Sequence, residues 1–100
     1  MLFATSINGK NVRLSDERWV HIVEGHPEMA GHRNNVLQTI TDPGIVLAGA
    51  FDELLAARYV RQDKVLVVVF KENKEDGFIL TEYFTTKTEK LLNGLILWKK

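Results

Sequence analysis

Thr81, Tyr83, Thr85 and Lys87 recur at every second position, the spacing that places side chains on one face of a β-strand. Three hydroxyls ending in a cation make a row able to donate hydrogen bonds to phosphate oxygens. The same row also suits the solvated face of a sheet, where threonine and tyrosine are favoured for their shape. His21, His26 and His32 fall within twelve residues of one another. On a single helix five residues turn the chain by roughly 500°, which leaves His21 and His26 about 140° apart, and Pro27 breaks the helix before His32. No His-Glu-x-x-His spacing occurs, so these histidines predict neither a metal site nor a cofactor. His21 and His32 read as solvent-exposed. His26 differs, because it stands where one helix ends and the next begins, beside unpaired carbonyls that attract positive charge. It reads either as a proton-transfer group or as a residue that caps and bridges the two helices. Arg58 and Tyr59 adjoin on a predicted strand and therefore face opposite ways. Arg58 is a phosphate contact or a charge guarding a strand, and Tyr59 a substrate contact or a half-buried core residue.

The elements that must position these residues follow from pattern. Leu2 to Ile7 and Val12-Arg13-Leu14 flank Asn8-Gly9, a pair that tolerates positive φ, and predict a hairpin. Ser15 stands where an N-cap belongs, Asp16 and Glu17 follow in the first turn, and Trp19, Ile22 and Val23 repeat at helical spacing up to Gly25. A second helix is predicted from Pro27 to Asp42-Pro43, with Met29, Val36, Leu37 and Ile40 on its inner stripe. Ile45-Val46-Leu47 suits a short strand, and Phe51 to Leu54 carries no firm pattern. Ala56 to Arg61, Lys64 to Lys71 and Phe78 to Thr86 then read as a meander of three strands. Thr88 to Leu92 suits a helical turn, and Leu95 to Trp98 an apolar ending. The expected fold class is α+β: two helices near the N-terminus followed by an antiparallel sheet that supplies most of the core.

Composition narrows the function classes. A length of 100 residues with 45% hydrophobic and 26% charged residues fits one globular domain, 1–100, and argues against disorder. Without cysteine there is no disulfide, thiolate ligand or Cys nucleophile, which suits a reducing compartment. The N-terminus lacks the pattern of a signal peptide, so a cytoplasmic location is expected. The apolar run Val65 to Phe70 is far short of the roughly 20 residues that cross a bilayer, and no membrane partner is expected. Thirteen basic residues balance thirteen acidic ones. Global attraction to nucleic acid is therefore absent, and any such contact must be local.

Taken together, Arg13-Leu14-Ser15, His21-Ile22, His26-Pro27-Glu28-Met29, Asp42-Pro43, Arg58-Tyr59, the Val65 to Val69 strand and Thr81-Glu82-Tyr83-Phe84 resemble, in order and spacing, the phage-associated nucleases of the barnase, EndoU, colicin and RelE-like group. The resemblance spans roughly residues 11 to 100. It implies two N-terminal helices packed on an antiparallel sheet of about four strands, and a metal-independent endoribonuclease of toxin or phage-nuclease type, with RNA as substrate and an antitoxin-like inhibitor as a further partner. Carried over by position, it singles out His26, Arg58 or Tyr59, and Thr81 with Thr85; with the hydroxyl row this makes His26, Arg58 and Thr81 the catalytic candidates, and Tyr59, Tyr83, Thr85 and Lys87 the substrate contacts. Such cleavage needs one group to take the 2′-hydroxyl proton, another to protonate the leaving 5′-oxygen, and donors on the phosphorane. The competing class is a noncatalytic module of the same fold that grips a protein or a nucleotide with the same polar face. Unpaired edge strands also offer a surface on which two copies could pair.

Overall fold

The computed structural model describes residues 1–100. It holds one seven-stranded mixed sheet: β1 (Leu2–Thr5), β2 (Asn11–Leu14), β3 (Ile45–Ala48), β4 (Leu54–Arg61), β5 (Lys64–Glu72), β6 (Asp76–Thr85) and β7 (Ile96–Lys99). The strand order is β1-β2-β6-β5-β4-β3-β7. Every neighbouring pair is antiparallel except β2 and β6, which run parallel through Asn11↔Asp76, Val12↔Gly77 and Arg13↔Phe78. Three short helices, α1 (Asp16–Gly25), α2 (Arg33–Thr41) and α3 (Thr88–Leu92), complete the chain.

This corrects the expectation of two helices on about four antiparallel strands. The predicted hairpin, the Ile45 strand and the apolar ending all join the meander, because their unpaired backbone groups find partners along its edges. The second helix is also shorter than predicted. Pro27–Met29 is a single 3-10 turn, and Gly31, at φ +85°, reverses the chain before α2 begins. Proline suits the start of a turn, but the left-handed residue four positions on ends it.

Local chemistry accounts for α1. Ser15 Oγ accepts from Arg18 N across 3.0 Å, and Asp16 and Glu17 occupy the first turn, where carboxylates meet the unpaired N–H groups. One face of the sheet carries the principal core. Ile22 of α1, Met29 of the 3-10 turn, and Val36 and Ile40 of α2 pack on Val12, Leu14, Val46, Ala56, Leu66, Val68, Phe70 and Ile79. The other face carries a smaller cluster, Ala57, Val65 and Val67, with Ile45, Leu55, Tyr83 and Leu91 of α3 against it. Strand β5 is thus covered on both sides, and Val65 through Val68 are all buried, as expected of a continuous β-branched run.

A bulge interrupts β6. Phe70 pairs with Ile79, but the next residue back, Val69, pairs with Thr81, which leaves Leu80 extra. The simple alternation read from sequence breaks there. Beyond the bulge Glu82, opposite Val68, turns into the helix-covered core; it is fully buried, and neither carboxyl oxygen has a hydrogen-bond partner. Loss of water at the charged form pushes its pKa from 4.5 up to about 7.

Two predictions follow from this packing. Gly77 lies in the parallel seam, where an added Cβ would come within 2.5 Å of Lys71 O and 3.3 Å of Val12 Cγ2. Gly77→Ala should therefore cost roughly 1–3 kcal/mol in denaturant unfolding, through overpacking against backbone. An unchanged midpoint would show that the seam is loose. The raised pKa of Glu82 makes the folded state the stronger proton binder, so its contribution is complete below pH 4.5 and lost as pH rises through about 7. Between pH 5 and 8 the wild type should lose roughly 1–3 kcal/mol of stability that Glu82→Gln keeps. Parallel pH profiles for the two proteins would refute the assignment.

Candidate functional site

The register divides the sequence-predicted residues between the two sides of the sheet. Arg58 pairs with Leu66 and so faces the helix-covered side, where its Nη1 is buried without a partner. His26 belongs to the same side. Its N–H donates to Ile22 O at 2.7 Å and its carbonyl accepts from Met29 N at 2.9 Å, so its backbone bridges α1 and the 3-10 turn. Its ring is half-exposed, with Nδ1 3.7 Å from Glu28 Oε2. His21 is exposed. His32 is half-buried against the ring of Phe84, with centroids 5.1 Å apart, and Nδ1 accepts from Asn35 Nδ2 at 3.0 Å. Its reading as a solvent-exposed residue is corrected by that packing.

Tyr59, Thr81, Tyr83 and Thr85 occupy the other face, level with Val65, Val69, Val67 and Val65 of β5 respectively. Tyr59 is 59% exposed and borders a small apolar recess with Ala57, Val65 and Leu91. Tyr83, Thr85 and Lys87 line a larger cavity of about 460 Å³, closed by Leu47 to Ala50 of β3 and its following turn, Leu55 of β4, and Lys90, Leu91 and Gly94 of the α3 segment. Thr81 shares the face but lies two residues further along β6, outside that lining. The hydroxyl row is therefore assembled as its spacing predicts, whereas His26 and Arg58 stand across the sheet from it.

The cavity's character follows from its parts. Thr85 Oγ1 accepts the N–H of Lys87 at 3.0 Å, which turns the chain off the sheet and directly into α3. Lys87 and Lys90 then stand one helical turn apart at the wall. Residues 87–100 carry Lys87, Lys90, Lys99 and Lys100 against Glu89 alone, so a chain of zero net charge has a basic corner. Lys100 is partly neutralised by Asp42, 2.9 Å away, and its hydrogen bond is the main cause holding the Asp42 carboxyl below its usual pKa. Partial burial raises the Tyr83 phenol above its ordinary value, further from the neutral range in which any phenol is already a protonated donor.

Residues absent from the sequence reading complete the site. The turn between β3 and β4 closes with Gly49 N donating to Glu53 O at 2.8 Å, which leaves Ala50-Phe51-Asp52 as a three-residue loop. Asp52 takes the left-handed conformation, φ +71°, that such loops require at their third position. Glu53 Oε1 accepts the N–H of Phe51 at 3.0 Å, and its side chain lies where a Cβ on Gly49 would be. Gly49 lines the cavity, so the Glu53 side chain packs against one residue of its lining. The signal was a glycine and an aspartate flanking an aromatic between two strands, in the one stretch whose pattern was undecided. No three His, Asp or Glu side chains come together in an arrangement that holds a metal ion, and no helix is long and apolar enough to cross a membrane. Compared with protein-family models, curated proteins and solved structures, the chain matches none of them.

Proposed function

We propose that the protein is a metal-independent endoribonuclease whose working surface is the cavity on the open face of the sheet. The observation that carries this reading is the convergence of Tyr83, Thr85, Lys87 and Lys90 on one cavity, with the Glu53 carboxylate packed against Gly49 of its lining. These are the groups that transesterification of RNA calls for. Glu53 takes the proton of the 2′-hydroxyl, whose oxygen forms a new bond to phosphorus as the bond to the 5′-oxygen breaks. Lys87 and Lys90 neutralise the phosphorane, and one of the two ammonium groups returns a proton to the leaving 5′-oxygen. Tyr83, protonated at neutral pH as any phenol is, donates to a non-bridging oxygen. The products are a 2′,3′-cyclic phosphate and a free 5′-hydroxyl. DNA has no 2′-hydroxyl and is not cut by this route. His26 and Arg58, on the other side of the sheet, are not assigned a step.

A noncatalytic RNA-binding module is the second reading, favoured by one observation: no imidazole is among the residues lining the cavity. One experiment separates the two. Purified protein is incubated with mixed RNA in excess chelator, and the ends of any fragments are analysed. Cleavage that leaves cyclic phosphate, falls about a hundredfold or more in Glu53→Gln, and changes by no more than about twofold in His26→Ala supports the enzyme. RNA bound but left intact supports the module. Cleavage abolished by the chelator, or lost in His26→Ala and kept in Glu53→Gln, overturns the assignment.

A further inference from the structure

Phe51 is 80% exposed, more than any other large apolar residue of the chain. A single exposed phenylalanine is ordinary on a protein surface, but three features set this one apart. It is the middle residue of the three-residue loop between β3 and β4, so no longer segment lets it fold back. Its backbone is fixed on both sides, by its own N–H on Glu53 Oε1 and by the left-handed Asp52 that follows. It also adjoins Ala50 in sequence, and Ala50 lines the same cavity as Lys87 and Lys90. An exposed aromatic ring on a fixed loop backbone, one residue from the lining of a cavity that holds two lysines, is the arrangement with which proteins take up an unpaired nucleotide, stacking the base on the ring and directing its phosphate to the cations.

We infer that Phe51 is the stacking platform for one unpaired base, and that the ligand of this site is single-stranded RNA. This rests on the RNA reading above and adds to it which form of RNA enters. A base within a duplex is stacked on both faces and cannot present one to Phe51 without being extruded. Asp52 contributes through its backbone conformation, which glycine adopts as readily. The ring, by contrast, is replaceable only by another aromatic.

The test uses a fluorescent 2′-O-methyl oligoribonucleotide, which cannot be cleaved, so that anisotropy reads binding apart from turnover. Phe51→Ala should weaken binding of the single strand about tenfold or more, and Phe51→Trp should restore it to within roughly threefold of the wild type. Asp52→Gly should bind as the wild type does, and the same strand annealed to its complement should bind at least about tenfold more weakly. Thermal melts of each variant confirm that the exposed substitutions leave the fold intact. If Phe51→Ala binds as tightly as the wild type, or the duplex as tightly as the single strand, the inference fails while the RNA reading stands. If the wild type binds neither form, both fail together.

Discussion

The burial of β5 on both sides is the constraint from which the rest of the structure follows. Val65 to Val68 form a run of four apolar residues, three of them β-branched, and such a run is stable only where each pleat surface is covered. Leu66 and Val68 are covered by α1, α2 and the 3-10 turn, and Val65 and Val67 by α3 and its neighbours. Because α3 is only five residues long, it covers one end of its face and leaves the remainder open. The cavity is the space that a short helix leaves over a wide sheet. A longer helix in that position would add buried area and remove the site.

The same geometry sorts charge. Groups turned to the helix-covered side lose water, as Glu82 and the Arg58 Nη1 do, and their neighbours are chosen by packing. Groups turned to the open side keep water and remain available to a ligand. Two residues adjacent in sequence, Arg58 and Tyr59, therefore live in different solvents. Zero net charge over the whole chain hides local imbalance, such as the four lysines against one glutamate in the last fourteen residues.

Much of this was legible before any coordinates. The hairpin turn at Asn8-Gly9, the Ser15 cap, the three-strand meander and the hydroxyl row of β6 were each written in local pattern and each formed. The remainder depends on pairing between distant segments, which local pattern does not encode. The parallel register of β2 on β6 joins residues more than sixty positions apart, and nothing near Val12 announces it. The bulge at Leu80 reverses which residues of β6 face the helices, so Ile79 and Glu82, three positions apart, share the covered side that strict alternation would deny to one of them. The Ala50-Phe51-Asp52 loop escaped notice because its meaning lies in a single backbone angle. Of the two readings that the sequence left open for His26, the bridging one is visible in its main-chain hydrogen bonds to Ile22 and Met29.

The parallel seam also bears on how the chain is made. On a ribosome the strand containing Val12 and Leu14 emerges first, while its partner in β6 is completed only after residue 78. At typical elongation rates of about 5–20 residues per second, that interval is several seconds. Throughout it, two residues that end at 0% and 2% exposure lack the strand against which they finally lie. The N-terminal hairpin is thus a segment in waiting, its inner edge unpaired until the chain has been made almost to its end.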